Sequence, residues 1–191
     1  MHKNFLTVLV TFAAAGMVSA VQVAQAAEIK FAVEPVVGYE RVQKLKPSLH
    51  FSNRLIYGVR ARAGLPLASA EAEYTRGEDT ESYPILSLTT KDTDDKLKLG
   101  IRSSFRLSGL FHLWGRGGVQ GKRNRHEDTQ SGVTTVTVGN FVYRPYAGIG
   151  LSAGLGHNLE LDGGVTVIFN DFPRMQTNEY ETTLGFSVRF P

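Results

Sequence analysis

Hydrophobic and polar residues alternate through the last segment of the chain, residues 179–191. One face of this segment carries Tyr180, Thr182, Leu184, Phe186, Val188 and Phe190, and charged or small residues occupy the positions between them. A period of two is typical of a β-strand with two different faces. A soluble strand usually has about five or six residues, whereas a strand tilted through a bilayer needs about nine to eleven. The pattern therefore predicts a membrane-spanning strand.

The same alternation recurs in seven further segments. They are residues 29–42, 55–65, 67–76, 96–107, 110–122, 141–155 and 159–169. Residues 67–76 are rich in Ala and Glu, which also favour a helix, but propensity is a weak signal and the flanking strands need a partner. We therefore interpret this segment as a strand, which gives a total of eight.

The connections between these segments alternate between long and short. Long polar segments cover 43–54, 77–95, 123–140 and 170–178, and short turns lie near Pro66, Gly109 and His157. An even number of strands with this asymmetry predicts an all-β, eight-stranded antiparallel up-and-down transmembrane β-barrel, with long loops outside the cell and short turns in the periplasm. A soluble lipocalin would place apolar residues inside and polar residues outside, whereas here the charges share a face with the glycines.

The terminal strand, with its strict alternation and its aromatic Phe190, resembles those of small outer-membrane β-barrels. The family is that of the outer membrane protein A transmembrane domain and the related outer membrane protein X group. The resemblance covers the chain from Ala27 to Pro191 and implies a location in the bacterial outer membrane. It also implies that the strand is an assembly signal for the outer-membrane assembly machinery, carried by Tyr180, Leu184, Phe186, Val188 and Phe190.

The first 26 residues have the three parts of a secretory signal peptide. His2 and Lys3 precede an apolar run that ends in the small-residue site Ala24-Gln25-Ala26. The run is shorter than the ~20 apolar residues of a spanning helix, so cleavage after Ala26 is expected. Residues 27–191 then form one barrel domain.

Charge and cysteine content exclude several classes of function. The formal charge of +3 falls to +2 when Lys3 is removed, which is too small a surplus to indicate nucleic-acid binding. The chain contains no cysteine, so disulfides, thiolate metal sites and a cysteine nucleophile are excluded.

The inner face of the predicted barrel carries many charges of both signs. The network positions are Glu34, Arg60, Arg62, Glu71, Glu73, Lys98, Arg102, Arg116, Arg144, Glu160, Asp162, Glu181 and Arg189. They could line an ion path, but an eight-stranded barrel is just wide enough for side chains to fill, which favours a structural plug. In the same interior, an arginine at Thr166 should be tolerated beside Glu160 and Asp162.

One short stretch suggests an enzyme. The sequence His50-Phe51-Ser52-Asn53 resembles the H-x-S-N element of outer-membrane lipid A deacylases. That resemblance implies His50 as the general base and Ser52 as the nucleophile. A four-residue element matches easily by chance and no acid that would orient the histidine can be assigned, so the catalytic reading remains the alternative.

The remaining features support a surface role without catalysis. His126-Glu127-Asp128 lacks a second histidine, so no metal site and no cofactor are expected. The six carboxylates of 77–95 could share divalent cations with lipopolysaccharide. We expect a non-enzymatic structural or surface-interaction protein whose partners include outer-membrane lipid, lipopolysaccharide and an unidentified ligand of its loops. A lipid A deacylase or a narrow channel is the alternative.

Overall fold

Long β-strands form nearly all of the protein, as seen in a computed structural model that describes residues 29–44, 50–65, 67–156, 158–170 and 177–190. The strands are β1 (Lys30–Lys44), β2 (His50–Leu65), β3 (Ala68–Tyr83), β4 (Leu88–Arg106), β5 (Phe111–Gln130), β6 (Val133–Val138), β7 (Val142–Gly154), β8 (Leu159–Ile168) and β9 (Glu179–Phe190). A short 3-10 turn, Pro84–Leu86, joins β3 to β4. The signal peptide predicted at residues 1–26 lies outside the described residues.

Eight of these strands close into a ring. Consecutive strands from β1 to β5 pair with one another, and β5 also pairs with β7. The ring continues through the pairs β7–β8 and β8–β9 and closes where β9 pairs with β1. All pairings between the described strands are antiparallel, and among these strands β6 pairs only with β5, outside the ring. The eight-stranded antiparallel barrel predicted from the sequence is confirmed. The segment that could have been a helix, 67–76, lies in β3 from Ala68 onward.

Three of the predicted long loops are largely strand. β2 already begins at His50, β3 and β4 continue to a tight turn between Tyr83 and Leu88, and β5 runs on to Gln130 before β6 reverses the chain. These strands continue through polar residues because water is accessible to both of their faces. The hydrogen bonds of the antiparallel ladder satisfy their backbone N–H and C=O groups. Cross-strand contacts add support, such as the 2.9 Å hydrogen bond between the hydroxyls of Thr129 and Thr134.

The extended strands form a sheet that rises above one end of the ring, here called the wall. The wall consists of residues 78–83 of β3, 88–95 of β4, 123–130 of β5 and β6. The opposite end of the barrel, where β1 begins and β9 ends, carries the short turns after β2, β4 and β7 and is here called the terminal end.

The outer surface of the ring is a belt of exposed apolar side chains. Ile101 is 72 % exposed, Ile149 59 % and Leu99 56 %, and the outward positions of the other strands are similar. So large a continuous apolar surface is stable only against lipid. Tyr39, Tyr57, Tyr74 and Tyr180 lie on this surface toward the wall end, as expected for an interfacial aromatic girdle. Within the described residues, no helix is long and apolar enough to cross a membrane.

Candidate functional site

Glu73 is the centre of the charged interior. Its two carboxylate oxygens accept hydrogen bonds from Arg60 at 2.6 Å, Lys98 at 2.7 Å and Arg116 at 2.6 Å. These four side chains come from β2, β3, β4 and β5, and all are buried. The inward positions of four strands therefore converge because each strand presents alternate residues to the lumen. This one carboxylate therefore neutralises part of the charge of three cations, all within hydrogen-bonding distance.

A second group lies above Glu73, toward the wall. Glu181 accepts hydrogen bonds from Lys96 at 2.9 Å and from Lys98 at 2.5 Å, and Lys96 also contacts Glu40. Because Lys98 bridges Glu181 and Glu73, the two groups form one connected network.

Sequence reasoning missed some members of this upper group. Arg54 bonds Glu40 at 2.7 Å and also contacts Asp94, which in turn accepts a 2.7 Å hydrogen bond from Asn124. Arg54, Asp94 and Asn124 were assigned to loops. Continuing the alternation of β2, β4 and β5 past their apolar parts would have placed these three residues on the inner face. Loss of hydrophobic contrast ended the predicted strands too early.

A third group lies below Glu73, toward the terminal end. Asp162 contacts Arg102, accepts a hydrogen bond from Arg62 at 3.1 Å, and accepts one from the Ser152 hydroxyl at 2.8 Å. Glu34 accepts a 2.7 Å bond from Arg60, which links this group to the centre.

The remaining predicted network positions lie around these groups. Glu71 accepts a 2.9 Å hydrogen bond from Arg116, and Glu160 accepts one of 2.6 Å from Arg189. Arg144 lies apart from the centre, where it bonds Asn170 at 2.6 Å and Glu179 at 3.3 Å. The structure therefore brings most of the predicted charges into one network and places Arg144 near the β8–β9 connection.

Trp114 fills the space beside the third group. The side chain is 1 % exposed, and the Arg102 guanidinium lies 4.3 Å from the centre of its ring, within the range of a cation–π contact. Its indole packs over Gly150 and Gly164, where an added Cβ would come within 2.2 and 2.4 Å of it. These two glycines therefore leave the space on the inner face that the tryptophan ring occupies.

Substitution of Gly164 by alanine should therefore destabilise the barrel. The new methyl group would overlap the Trp114 ring, and overpacking of this kind typically costs about 1–3 kcal/mol. Urea unfolding of the protein in lipid vesicles measures the loss. The matched control is Gly163→Ala, whose Cβ would meet only Leu184 at an ordinary 3.7 Å. Equal losses in the two variants would show that Trp114 does not occupy this position.

The two residues of the deacylase-like element lie at the wall end of β2. The Ser52 hydroxyl donates a 2.7 Å hydrogen bond to Asp79 Oδ2 of β3. His50 is the first residue of β2 and lies opposite Lys44 in β1, and its side chain lies outside the described part of the structure. The described partner of the Ser52 hydroxyl is thus a carboxylate. This hydrogen bond by itself does not make the serine a nucleophile.

His126 lies on the wall, beyond the apolar belt. Its Nδ1 lies 2.6 Å from Asp92 Oδ1 and its Nε2 lies 3.0 Å from Asp128 Oδ1, so the ring donates to both carboxylates when it is protonated. The hydrogen bond to Asp92 is the main cause that raises the pKa of His126 above its ordinary value. Among the residues that the structure describes, no group of three or more histidine or acidic side chains is arranged to hold a metal ion.

The terminal strand β9 places its alternate residues on the outer surface. Tyr180 is 42 % exposed, Leu184 51 %, Phe186 39 % and Phe190 49 %, and Val188 is partly exposed. Glu181, Gly185 and Ser187 between them are buried inside. The phase predicted for this strand is therefore the one observed.

The closed ring, apolar belt and ionic interior define a small eight-stranded transmembrane β-barrel. No family model and no curated protein matches the sequence. Among solved structures, the chain is similar to Ail, the attachment invasion locus protein of Yersinia pestis, with 14 % identity over 85 % of this chain and 99 % of that one and a TM-score of 0.59.

Two further solved structures share the fold. Neisserial surface protein A is 13 % identical over 85 % of this chain and 99 % of that one, with a TM-score of 0.59. The N-terminal β-barrel domain of Pseudomonas aeruginosa OprF is 12 % identical over 83 % of this chain and 97 % of that one, with a TM-score of 0.50. At sequence identities this low, the comparison shows similarity of fold alone. The shared fold is that of small outer-membrane β-barrel proteins.

Proposed function

We propose that this protein is a non-enzymatic surface protein of the bacterial outer membrane that interacts with other molecules through its wall. The wall stands clear of the apolar belt on one side of the barrel, where β3, β4 and β5 continue beyond the belt and β6 pairs with β5. In this proposal the wall faces the outside of the cell, as the long connections of outer-membrane barrels do. Lipopolysaccharide and membrane lipid surround the belt, and β9 serves as the signal for assembly.

The observation that carries this proposal is the free edge of the wall at β6. β6 reads Val-Thr-Thr-Val-Thr-Val, all six residues are exposed, and among the strands that the structure describes it pairs only with β5. An exposed edge of β-branched residues without charge or proline offers unpaired backbone groups to another extended chain. Natural proteins usually block such edges, so an unblocked edge on a surface sheet favours strand addition by a partner.

The charge of the wall favours a neutral or cationic partner. Residues 77–95 contain six carboxylates and one lysine, and residues 123–140 contain equal numbers of Lys or Arg and of Asp or Glu. A polyanion would be repelled by this surface, whereas a basic extended segment would be attracted. The fold similarity to Ail, whose name designates attachment, agrees with a surface-interaction role.

Cell adhesion tests the role of the edge. Cells that display the full chain should adhere to immobilised extracellular-matrix proteins more than cells without it, and Thr135→Lys in β6 should abolish the gain by blocking strand addition. Thr89→Lys is the matched control, because β4 is paired on both sides there. An unchanged gain with Thr135→Lys, or no gain at all, would contradict the proposal.

The interior is proposed to be a plug. Lys96, Lys98 and Glu73 are each at most 1 % exposed and are bonded across the lumen to groups on other strands. Side chains held in this way occupy the cross-section through which ions would have to pass. Planar-bilayer recordings of the refolded protein should therefore show no large, steady conductance, and stable channels of porin size would contradict the plug.

The enzymatic alternative has a direct test. Lipid A extracted from cells that produce the protein should have the same acyl chains whether they carry the natural sequence, Ser52→Ala or His50→Ala. The expectation rests on the hydrogen bond that the Ser52 hydroxyl donates to Asp79, because the described partner of the hydroxyl is a carboxylate and not an imidazole. A deacylated species that disappears in either variant would establish the enzyme.

A further inference from the structure

A cavity of about 330 Å³ opens at the terminal end of the barrel, opposite the wall. Its charged lining comes from β1, β2, β4, β5, β8 and β9. These side chains are Lys30, Arg62, Arg106, His112, Glu160 and Arg189. The cavity is at the small end of the range for ligand sites in proteins, about 300–1,000 Å³. It borders the ionic network, to which Arg62 and Glu160 belong, whereas Lys30, Arg106 and His112 lie beyond that network at the ends of their strands.

The backbone register concentrates positive charge in this cavity. Ala32 of β1 is paired with Arg62 on one side and with Arg189 on the other, so two guanidinium groups flank one small residue at the same level. Arg106 and His112 are likewise cross-strand partners between β4 and β5. Inward side chains at paired positions share one level of the lumen, which places these basic groups around a common space.

The single carboxylate of the lining does not balance these cations. Glu160 is bonded to Arg189 at 2.6 Å and lies 3.5 Å from Arg62, so its charge is already shared by two guanidinium groups. Lys30 and Arg106 form no ion pair with any described residue, and their side chains are exposed to the cavity end. Arg62 is also paired with Asp162 at 3.1 Å and with Glu34 at 3.4 Å, so the uncompensated positive charge of the lining lies on Lys30 and Arg106.

Two buried nitrogen atoms of the lining also lack a hydrogen-bond partner within the described structure. They are Nε of Arg62 and Nδ1 of His112, and the nearest carboxylate oxygen to the latter is Glu160 Oε1 at 3.9 Å. Arg62 Nε always carries a hydrogen, and a buried donor without an acceptor is unfavourable; an incoming oxyanion would supply the missing acceptor.

We propose that this cavity binds a small phosphate-type anion from the aqueous phase at the terminal end. A phosphate group brings up to two negative charges and several acceptor oxygens, which suits the two uncompensated cations better than a single carboxylate does. Arginine side chains bind such oxyanions through paired N–H donors, and lysine adds a point charge. The phosphate enters through the open end of the ring, because the strands of the barrel separate the cavity from the lipid headgroups around the belt.

Pyrophosphate titration of the full chain, refolded in detergent at low ionic strength, tests this site. Saturable binding of one pyrophosphate is expected, and inorganic phosphate should bind more weakly because it carries less charge. Arg106→Gln and Lys30→Gln should each weaken pyrophosphate binding about tenfold, the effect of losing one close charge contact. Both side chains are exposed and without ion pairs, so neither substitution disturbs the barrel, which heat-dependent migration on gels verifies.

Lys91→Gln is the matched control, because Lys91 is an exposed cation of the wall, 3.7 Å from Glu78. It should leave pyrophosphate binding unchanged. Succinate, a dicarboxylate of similar size, should bind at least about tenfold more weakly than pyrophosphate if the site selects phosphate. Absence of saturable binding, equal loss in all three variants, or equal affinity for succinate would overturn the proposal.

Discussion

Glu73→Gln is expected to lower the free energy of unfolding by about 3–5 kcal/mol, the usual cost of breaking a buried ion pair from one side. The carboxylate accepts hydrogen bonds from Arg60, Lys98 and Arg116 at 2.6–2.7 Å. A neutral amide would remove the negative charge that these three cations share. The lumen is closed to water at this level, so water cannot replace that charge. Urea titration of the protein refolded into lipid vesicles measures the change.

The matched control on the same strand is Glu78→Gln. Glu78 also contacts two cations, Arg76 at 3.0 Å and Lys91 at 3.7 Å, but its side chain lies 38 % exposed on the wall. Exposed pairs of this kind contribute about 0–1 kcal/mol. If both substitutions had the same small effect, Glu73 would be hydrated and the interior would be open to water.

Ile149→Arg is expected to destabilise the barrel by about 2–4 kcal/mol, the cost of an arginine that faces hydrocarbon near the midplane of the bilayer. Ile149 is 59 % exposed on β7, between Gly115 of β5 and Val165 of β8. It is thus outward-facing in the middle of the apolar belt. The same urea titration in lipid vesicles determines the loss.

Val133→Arg supplies the comparison for the lipid-facing site. Val133 is more exposed than Ile149, at 70 %, but it begins β6 on the wall. In the proposed orientation the wall is surrounded by water, so an arginine at Val133 should change the free energy of unfolding by less than about 0.5 kcal/mol. A large loss at Val133 would place the wall in the membrane, and a small loss at Ile149 would remove the apolar belt from lipid.

Strand phase could be predicted from the sequence wherever an apolar belt marked one face. In β9, Leu184 and Phe186 lie outside and Glu181 lies inside, as the alternation indicates. The same contrast located β1, β4 and β7. The prediction failed in the wall, where Asp79 and Asp92 continue strands whose two faces both meet water, because a strand without a hydrophobic face leaves no such signal.

The interior shows a different limit of sequence reasoning. Thr166 was expected to tolerate an arginine, since Glu160 and Asp162 lie on the same strand. In the structure Thr166 is fully buried and its hydroxyl accepts bonds from Arg116 Nη2 at 2.6 Å and Nε at 3.2 Å. A second guanidinium there would meet the first, so we expect Thr166→Arg to be destabilising. Which charge lies near a given position depends on strands that are distant in sequence.

The sequence by itself determined that eight strands alternate between a lipid face and a charged face, because a period of two and a length that spans the bilayer are local properties. Tertiary structure decided which charges meet. Glu73 joins Arg60, Lys98 and Arg116, and Trp114 packs over Gly164, because ring closure and register bring separate strands to the same level. Register is set by backbone pairing around the whole ring, and no single segment contains that information.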